Sequence, residues 1–152
     1  MIQFTPHVTV ATVVVRQKND LKEFLLVEER CKTTGVMVLN QPAGHVEEGE
    51  ELADAARRET REETAHHVKL TGLLGSARYV GGNGITYFRT TFLAEVENHD
   101  KTLHLDTDIT AIHWLNFDQI TALSARMRSP LVISSIERYL NGHCYPLSFI
   151  YS

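Results

Sequence analysis

The stretch Gly44–Glu63 reads GHVEEGEELADAARRETREE and decides both the fold and the chemistry that the chain can carry. From Leu52 to about His66, apolar and small residues recur at helical spacing and charged residues fill the other positions, which predicts a helix. Side chains three and four residues apart lie on one face of a helix. Glu59, Glu62 and Glu63 are therefore predicted to project from one ridge, where their like charges repel.

A divalent cation would offset this repulsion. Hard cations such as Mg²⁺ favour oxygen ligands and bridge protein carboxylates to phosphates. Arg58 lies four residues before Glu62, so it can pair with Glu62 or reach back to Glu50, and either contact would hold a carboxylate in place. Gly44, beside Pro42, lets the backbone approach closely and could present its carbonyl to the cation.

A run of Glu and Arg on a helix is more often a solvated face with weak ion pairs. The loop before this helix argues against that interpretation, because it carries a glycine and a glutamate at fixed offsets from the helical carboxylates. The whole stretch is similar to the Nudix box, G-x5-E-x7-R-E-U-x-E-E-x-G-U, in which U is an aliphatic residue. Six positions fall in register with this pattern: Gly44, Glu50, Arg58, Glu59, Glu62 and Glu63.

Three positions depart from the box. Thr60 stands at the first aliphatic position, where its methyl group can still pack inward. Ala65 replaces the closing glycine and His66 the last aliphatic residue. The helix is therefore expected to run on by a residue or two, or to end without the usual left-handed glycine. These departures concern the exit of the helix and leave the carboxylates in place.

The resemblance extends along most of the chain and points to the NudJ-type phosphatase branch of the Nudix superfamily. It implies an α/β (α+β) fold, the Nudix α/β/α sandwich with a mixed β-sheet, in one domain over residues 1–152. It also implies hydrolysis of nucleoside di- and triphosphates and thiamine-pathway diphosphates with Mg²⁺, or with Mn²⁺ in its place. The segments that carry it are HVTVA (7–11), NQPAGH (40–45), RSPLV (128–132) and YPL (145–147).

Outside the box, the hydrophobic pattern predicts strands and one further helix. Pro130 suits the first turn of that helix after Ser129 as N-cap, and Asn141 with Gly142 supplies its end. The glycine-rich segment Gly81–Gly84 predicts a turn between two strands. The predicted strands are His7–Arg16, Glu23–Glu29, Val36–Asn40, Val68–Arg78, Thr86–Val96 and Ala111–Leu115, and the second helix is Pro130–Leu140.

Length and composition fit a soluble, cytoplasmic protein. The 152 residues suffice for one hydrophobic core, and the net charge of −4 gives no general attraction to nucleic acid or an anionic membrane. Two distant cysteines, Cys31 and Cys144, suit a reducing compartment. We find no signal peptide and no apolar run that could span a bilayer. The expected partner is a small phosphorylated molecule, and the chain is expected to act as a monomer or homodimer.

The expected catalytic groups are Glu50, Arg58, Glu59 and Glu62. Metal ions neutralise developing charge on a diphosphate and lower the pKa of bound water. We expect Gly44, Glu59, Glu62 and Glu63 to hold the metal, with Glu59 and Glu63 as the principal ligands and Glu62 as a further ligand or the general base. A carboxylate outside this set could serve as the base instead, and the possible replacements are Glu47, Glu48, Glu95 and Glu97.

Substrate contacts are expected from Arg78, Arg89, His45 and Tyr87. The two arginines lie on or beside predicted strands and could reach phosphate oxygens. Tyr87, like Tyr79 and Phe88, flanks the glycine turn and could stack on a ring. His45 lies in the box loop, where a phosphate contact and a structural hydrogen bond are both open. A second polar group is interpreted as a solvated turn: His104, Asp106 and Asp108.

Other functions remain open from the sequence. Within the same class, the protein could act on oxidised nucleotides or on nucleotide sugars, a choice that loops outside the box decide. A non-catalytic Nudix-fold binding module is a different possibility. Such a module needs no activated water, so it would be expected to have lost acidic residues of the box, whereas here all of them are present.

Overall fold

The computed structural model describes all 152 residues. Its seven strands form a mixed sheet in which the main path runs β3-β2-β1-β6-β5, with β4 beside β1 and β7 beside β2. The β1–β6 pair is parallel and the other pairs are antiparallel. The strands are β1 (His7–Lys18), β2 (Leu21–Arg30), β3 (Met37–Asn40), β4 (Ala43–His45), β5 (His66–Val80), β6 (Thr86–His99) and β7 (Ile109–Asn116).

Helix α1 (Leu52–Thr64) crosses one face of the sheet. Its residues Ala55 and Ala56 are almost fully buried against a core that includes Val10, Val14 and Phe92. Small side chains let the helix axis approach the sheet, so the alanine face packs inward and the charged ridge turns outward. The helix is thereby fixed with its acidic side next to β4.

Helix α3 (Leu131–Leu140) packs on the opposite face, where Val132 and Ile136 lie in a second core with Val13 and Leu26. The predicted α/β/α sandwich with a mixed sheet is therefore confirmed. A short helix, α2 (Phe117–Ala122), begins with a capping box. None of the three helices combines the length and apolarity that a membrane span requires.

The predicted elements are all present, with ends that differ by up to three residues. The sequence pattern did not predict β4 or α2. Helix α1 ends at Thr64, two residues before the predicted end at about His66, and Ala65 takes the left-handed conformation (φ 59°) that glycine usually supplies. Helix α3 begins at Leu131, whose backbone N–H donates a hydrogen bond to the Ser129 hydroxyl at 3.2 Å.

Candidate active site

Three carboxylates gather at the exposed side of α1. Oxygen atoms of Glu59, Glu62 and Asp106 all lie within 4.8 Å of one another. The backbone N–H of Asp106 donates to the Glu62 carbonyl at 3.0 Å, which holds the segment between β6 and β7 against the helix. Asp106 is exposed and lies in a loop, as expected of a solvated turn, and it also lies beside Glu59 and Glu62, which share one side of the helix.

Arg58 binds several of these acidic groups at once. Its guanidinium donates to both oxygens of Glu50, at 2.7 and 3.0 Å, and to Glu59 at 2.9 Å and Glu62 at 3.1 Å. It also donates to the backbone carbonyl of His45 at 3.0 Å. The guanidinium of Arg58 thus orients three carboxylates. It contacts both Glu62 and Glu50, the two partners that the sequence left open. The negative charge of the site still exceeds the positive charge.

Glu63 points inward from the same helix, and only 6% of the residue is exposed. Its carboxylate accepts the backbone N–H of Ala43 at 2.7 Å, which ties the end of α1 to the first residue of β4. Glu63 therefore lies beneath the exposed carboxylates and does not belong to the group that lies within 4.8 Å.

Gly44 lies in β4 opposite Val10, directly against Glu59. A Cβ atom at this position would overlap the Glu59 carboxyl group. The glycine of the box is therefore required for space, since any side chain here would displace a carboxylate from the cluster. That its carbonyl contacts a metal stays a prediction.

Burial is the main influence on the pKa values of the acidic groups at the end of α1. Burial raises the pKa of Glu59, and burial followed by repulsion from Glu62 raises the pKa of Asp106. Burial raises the pKa of Glu63 to about 9. By contrast, the hydrogen bonds from Arg58 lower the pKa of Glu50. Clustered carboxylate oxygens whose charged form is disfavoured by burial suit a hard divalent cation, which would offset that cost.

The four residues expected to contact the substrate separate into three places. His45 and Tyr87 come together, with ring centroids 6.3 Å apart. Arg78 is exposed on β5. Arg89 is only 8% exposed and donates to Asn40 at 3.3 Å and to Gln41 at 2.5 Å, because its strand turns it towards the segment before β4. A phosphate contact from Arg89 stays a prediction and would require this network to open.

The possible replacements for the general base also differ in position. Glu47 lies 3.8 Å from Arg58 and keeps 68% of its side chain exposed. Glu48, Glu95 and Glu97 are exposed, and the last two lie on the C-terminal half of β6. Glu47 is thus the member of this group that is placed beside the acidic cluster.

The architecture is that of a Nudix hydrolase, with helix α1, the strand β4 that carries Gly44, and the acidic cluster beside them. The family model of the NUDIX domain matches residues 5–133, and the chain therefore belongs to the Nudix family. Phosphatase NudJ from Escherichia coli (strain K12) is 37% identical over 147 residues, which cover 97% of this chain and 92% of that protein. The chain is accordingly a Nudix hydrolase that acts on phosphoanhydrides and a homologue of NudJ phosphatases.

Solved structures agree with this assignment. A NUDIX hydrolase from Nitrosomonas europaea superimposes with a TM-score of 0.90 at 41% identity, over 97% of both chains. The C. elegans Ap4A hydrolase in a binary complex gives a TM-score of 0.72 at 21% identity, over 89% of this chain and 96% of that chain. The second likeness shows a shared fold.

Proposed function

We propose that the protein is a Mg²⁺-dependent hydrolase of nucleoside di- and triphosphates or thiamine-pathway diphosphates. The observation that carries the proposal is the convergence of Glu59, Glu62 and Asp106 oxygens within 4.8 Å. The homology to proteins named Phosphatase NudJ supports the reaction class. Small phosphorylated molecules are the proposed substrates, not nucleic acid polymers. The free thiols of Cys31 and Cys144 suit the proposed cytoplasmic location.

In this proposal, Glu59, Glu62 and Glu63 hold the ion with Gly44, and Asp106 joins them from the segment before β7. A bound Mg²⁺ or Mn²⁺ supplies charge neutralisation on the phosphates and a more acidic water. Arg58 keeps Glu50, Glu59 and Glu62 in fixed orientations by the hydrogen bonds described above. The side chain of Glu62 is 38% exposed, which supports its proposed role as a further ligand or as the group that accepts a proton from water.

The direct test is a panel of diphosphates assayed with Mg²⁺, with Mn²⁺ and with excess chelator. Nucleoside diphosphates, nucleoside triphosphates, thiamine diphosphate, an oxidised nucleotide and a nucleotide sugar should be included. We expect metal-dependent release of phosphate from the first three and slower cleavage of the last two. Identification of orthophosphate or pyrophosphate then shows which phosphorus is attacked. Full activity in chelator, or cleavage confined to the nucleotide sugar, would contradict the proposal.

Removal of the negative charge at Asp106 should weaken metal binding. We expect Asp106→Asn to raise the Mg²⁺ concentration for half-maximal activity by about 10- to 100-fold, because a neutral amide is a poorer partner for a divalent cation. Asp108→Asn is the matched control, since Asp108 is paired with Lys32 at 3.2 Å and lies outside the cluster. An equal shift in both variants would show that Asp106 acts through the fold of the segment alone.

A further inference from the structure

Arg89 on β6 binds the segment that connects β3 to β4. Its buried guanidinium donates to the side-chain oxygen of Gln41 at 2.5 Å and to that of Asn40 at 3.3 Å. Strand β1 lies between β6 and β4, because its residue Thr9 is opposite Arg89 on one side and opposite His45 on the other. Arg89 therefore reaches across β1 and fastens the segment that leads into β4.

The two amide side chains that Arg89 binds are also held at their nitrogen ends. The Gln41 side-chain N–H donates to the backbone carbonyl of Val132, in the first turn of α3, at 2.7 Å. The Asn40 side-chain N–H donates to the Glu29 carboxylate on β2 at 3.4 Å. An amide that accepts with its oxygen and donates with its nitrogen is fixed in one orientation. The segment is therefore held between β6, α3 and β2.

The same segment leads directly to a carboxyl group of the acidic site. Ala43, two residues after Gln41, donates its backbone N–H to the Glu63 carboxyl group at 2.7 Å. Only Pro42 lies between Gln41 and Ala43, and the ring of a proline fixes its backbone angle φ. A displacement of Gln41 is therefore passed on to Ala43, because the residue between them has little freedom to absorb it.

The surroundings of Arg89 are costly for folding. Burial lowers the pKa of Arg89 to about 10, so the side chain is still charged at neutral pH. Its hydrogen-bond partners are neutral amides, and its Nε is buried without a partner. Burial of a charge with neutral partners and an unpaired donor opposes folding. Such costly arrangements are expected at functional sites, so stability alone does not account for an arginine at this position.

We propose that Arg89 is a positioning residue that acts through Asn40 and Gln41. By fixing their segment, it keeps the Ala43 N–H on Glu63 and so holds the Glu63 carboxyl group in the orientation in which it binds the metal. A phosphate contact from Arg89 is the competing role. A positioning residue changes the affinity for the metal, whereas a phosphate contact changes KM at saturating metal. The inference rests on the proposed function, since Glu63 is taken to be a ligand of the ion.

The kinetic test uses the nucleoside diphosphate that the wild type hydrolyses fastest. In Arg89→Met we expect the Mg²⁺ concentration for half-maximal activity to rise about tenfold, with KM at saturating Mg²⁺ within about twofold. Arg89→Lys keeps the charge but not the forked donor, and its shift should be smaller. The control is Arg138→Met, since Arg138 on α3 donates to the Leu74 carbonyl at 2.7 Å, and both values should stay unchanged. A higher KM with unchanged Mg²⁺ dependence, or a lower Tm alone, would overturn the proposal.

Amide hydrogen exchange in chelator makes the result independent of catalysis and of the metal. The Ala43 N–H should exchange at least about tenfold faster in Arg89→Met than in the wild type, because its bond to Glu63 is loosened. The N–H groups of Leu73 and Tyr145, which donate to each other's carbonyls, should exchange as before and exclude global unfolding. If Arg89→Met does not fold, Arg89→Lys is measured in its place. Faster Ala43 exchange in an enzyme that hydrolyses no diphosphate would leave the positioning role intact and contradict the proposed function. Unchanged Ala43 exchange would overturn the positioning role whatever the enzyme hydrolyses.

Discussion

Replacing Glu63 by glutamine should remove most turnover and at the same time stabilise the metal-free protein at alkaline pH. Glu63 is buried, and burial raises its pKa from 4.5 to about 9. Between these values the folded protein keeps a proton that the unfolded chain has released. Folding stability therefore falls as pH rises through this range, and the carboxyl group makes its most favourable contribution below pH 4.5. Glutamine imitates the protonated form at every pH and avoids this loss.

The measurement is thermal unfolding in chelator at pH 5 and pH 8.5. The difference in Tm between Glu63→Gln and the wild type should be small at pH 5 and should grow to about 2–4 °C or more at pH 8.5. Glu97→Gln, an exposed change on β6, is the control and should show no such trend. A variant that becomes less stable than the wild type at pH 8.5 would show that Glu63 is ionised in the folded metal-free protein.

The activity of Glu63→Gln should fall although its stability at pH 8.5 rises. With Mg²⁺ present, kcat of Glu63→Gln should fall at least about a hundredfold, because Glu63 is proposed as a metal ligand and its loss would remove several kcal/mol of transition-state stabilisation. Added Mg²⁺ should also raise the Tm of the wild type more than that of the variant, since binding to the folded state is weakened. A folded Glu63→Gln enzyme with full activity would exclude Glu63 from the metal site.

The sequence predicted that site residues on the same helix lie close together. Glu59 and Glu62 lie on one helix, so their spacing alone determines that they share a face. The strands were predicted because alternation and β-branched residues persist over many residues. Strand β4 has three residues and α2 has six, and neither is long enough to show a period. The face on which a residue of a long element lies was therefore predictable, whereas the existence of β4 and α2 was not.

The parts that the sequence did not predict depend on contacts between distant segments. Asp106 reaches the cluster through a backbone hydrogen bond to Glu62, and no local pattern marks that contact. His7 meets His45 only after β1 and β4 have paired. Arg89 was expected to reach phosphate oxygens from its strand, yet it is buried, and Asn40 and Gln41 supply acceptors that allow its burial. In each case a tertiary partner changes the role that residue type suggests.

Loss of the guanidinium of Arg58 should weaken the whole acidic site. In Arg58→Ala, Glu50, Glu59 and Glu62 lose their shared donor, which is itself only 16% exposed at the side chain. We expect the free energy of unfolding to fall by about 1–3 kcal/mol and kcat/KM to fall by about 10- to 100-fold. Arg58→Lys should recover little of either, because an ammonium group cannot reproduce the forked contact with both Glu50 oxygens.

The Mg²⁺ dependence separates this positioning role from metal ligation. Since Arg58 orients the carboxylates without being a ligand, saturating Mg²⁺ should restore part of the activity of Arg58→Ala, whereas it should not restore Glu63→Gln. Arg57→Ala is the matched control on the same helix, because Arg57 pairs only with Asp54 at 3.1 Å and 46% of its side chain is exposed. Wild-type activity in Arg58→Lys, or an equal loss in Arg57→Ala, would show that the site needs a positive charge on the helix and not this particular arrangement of donors.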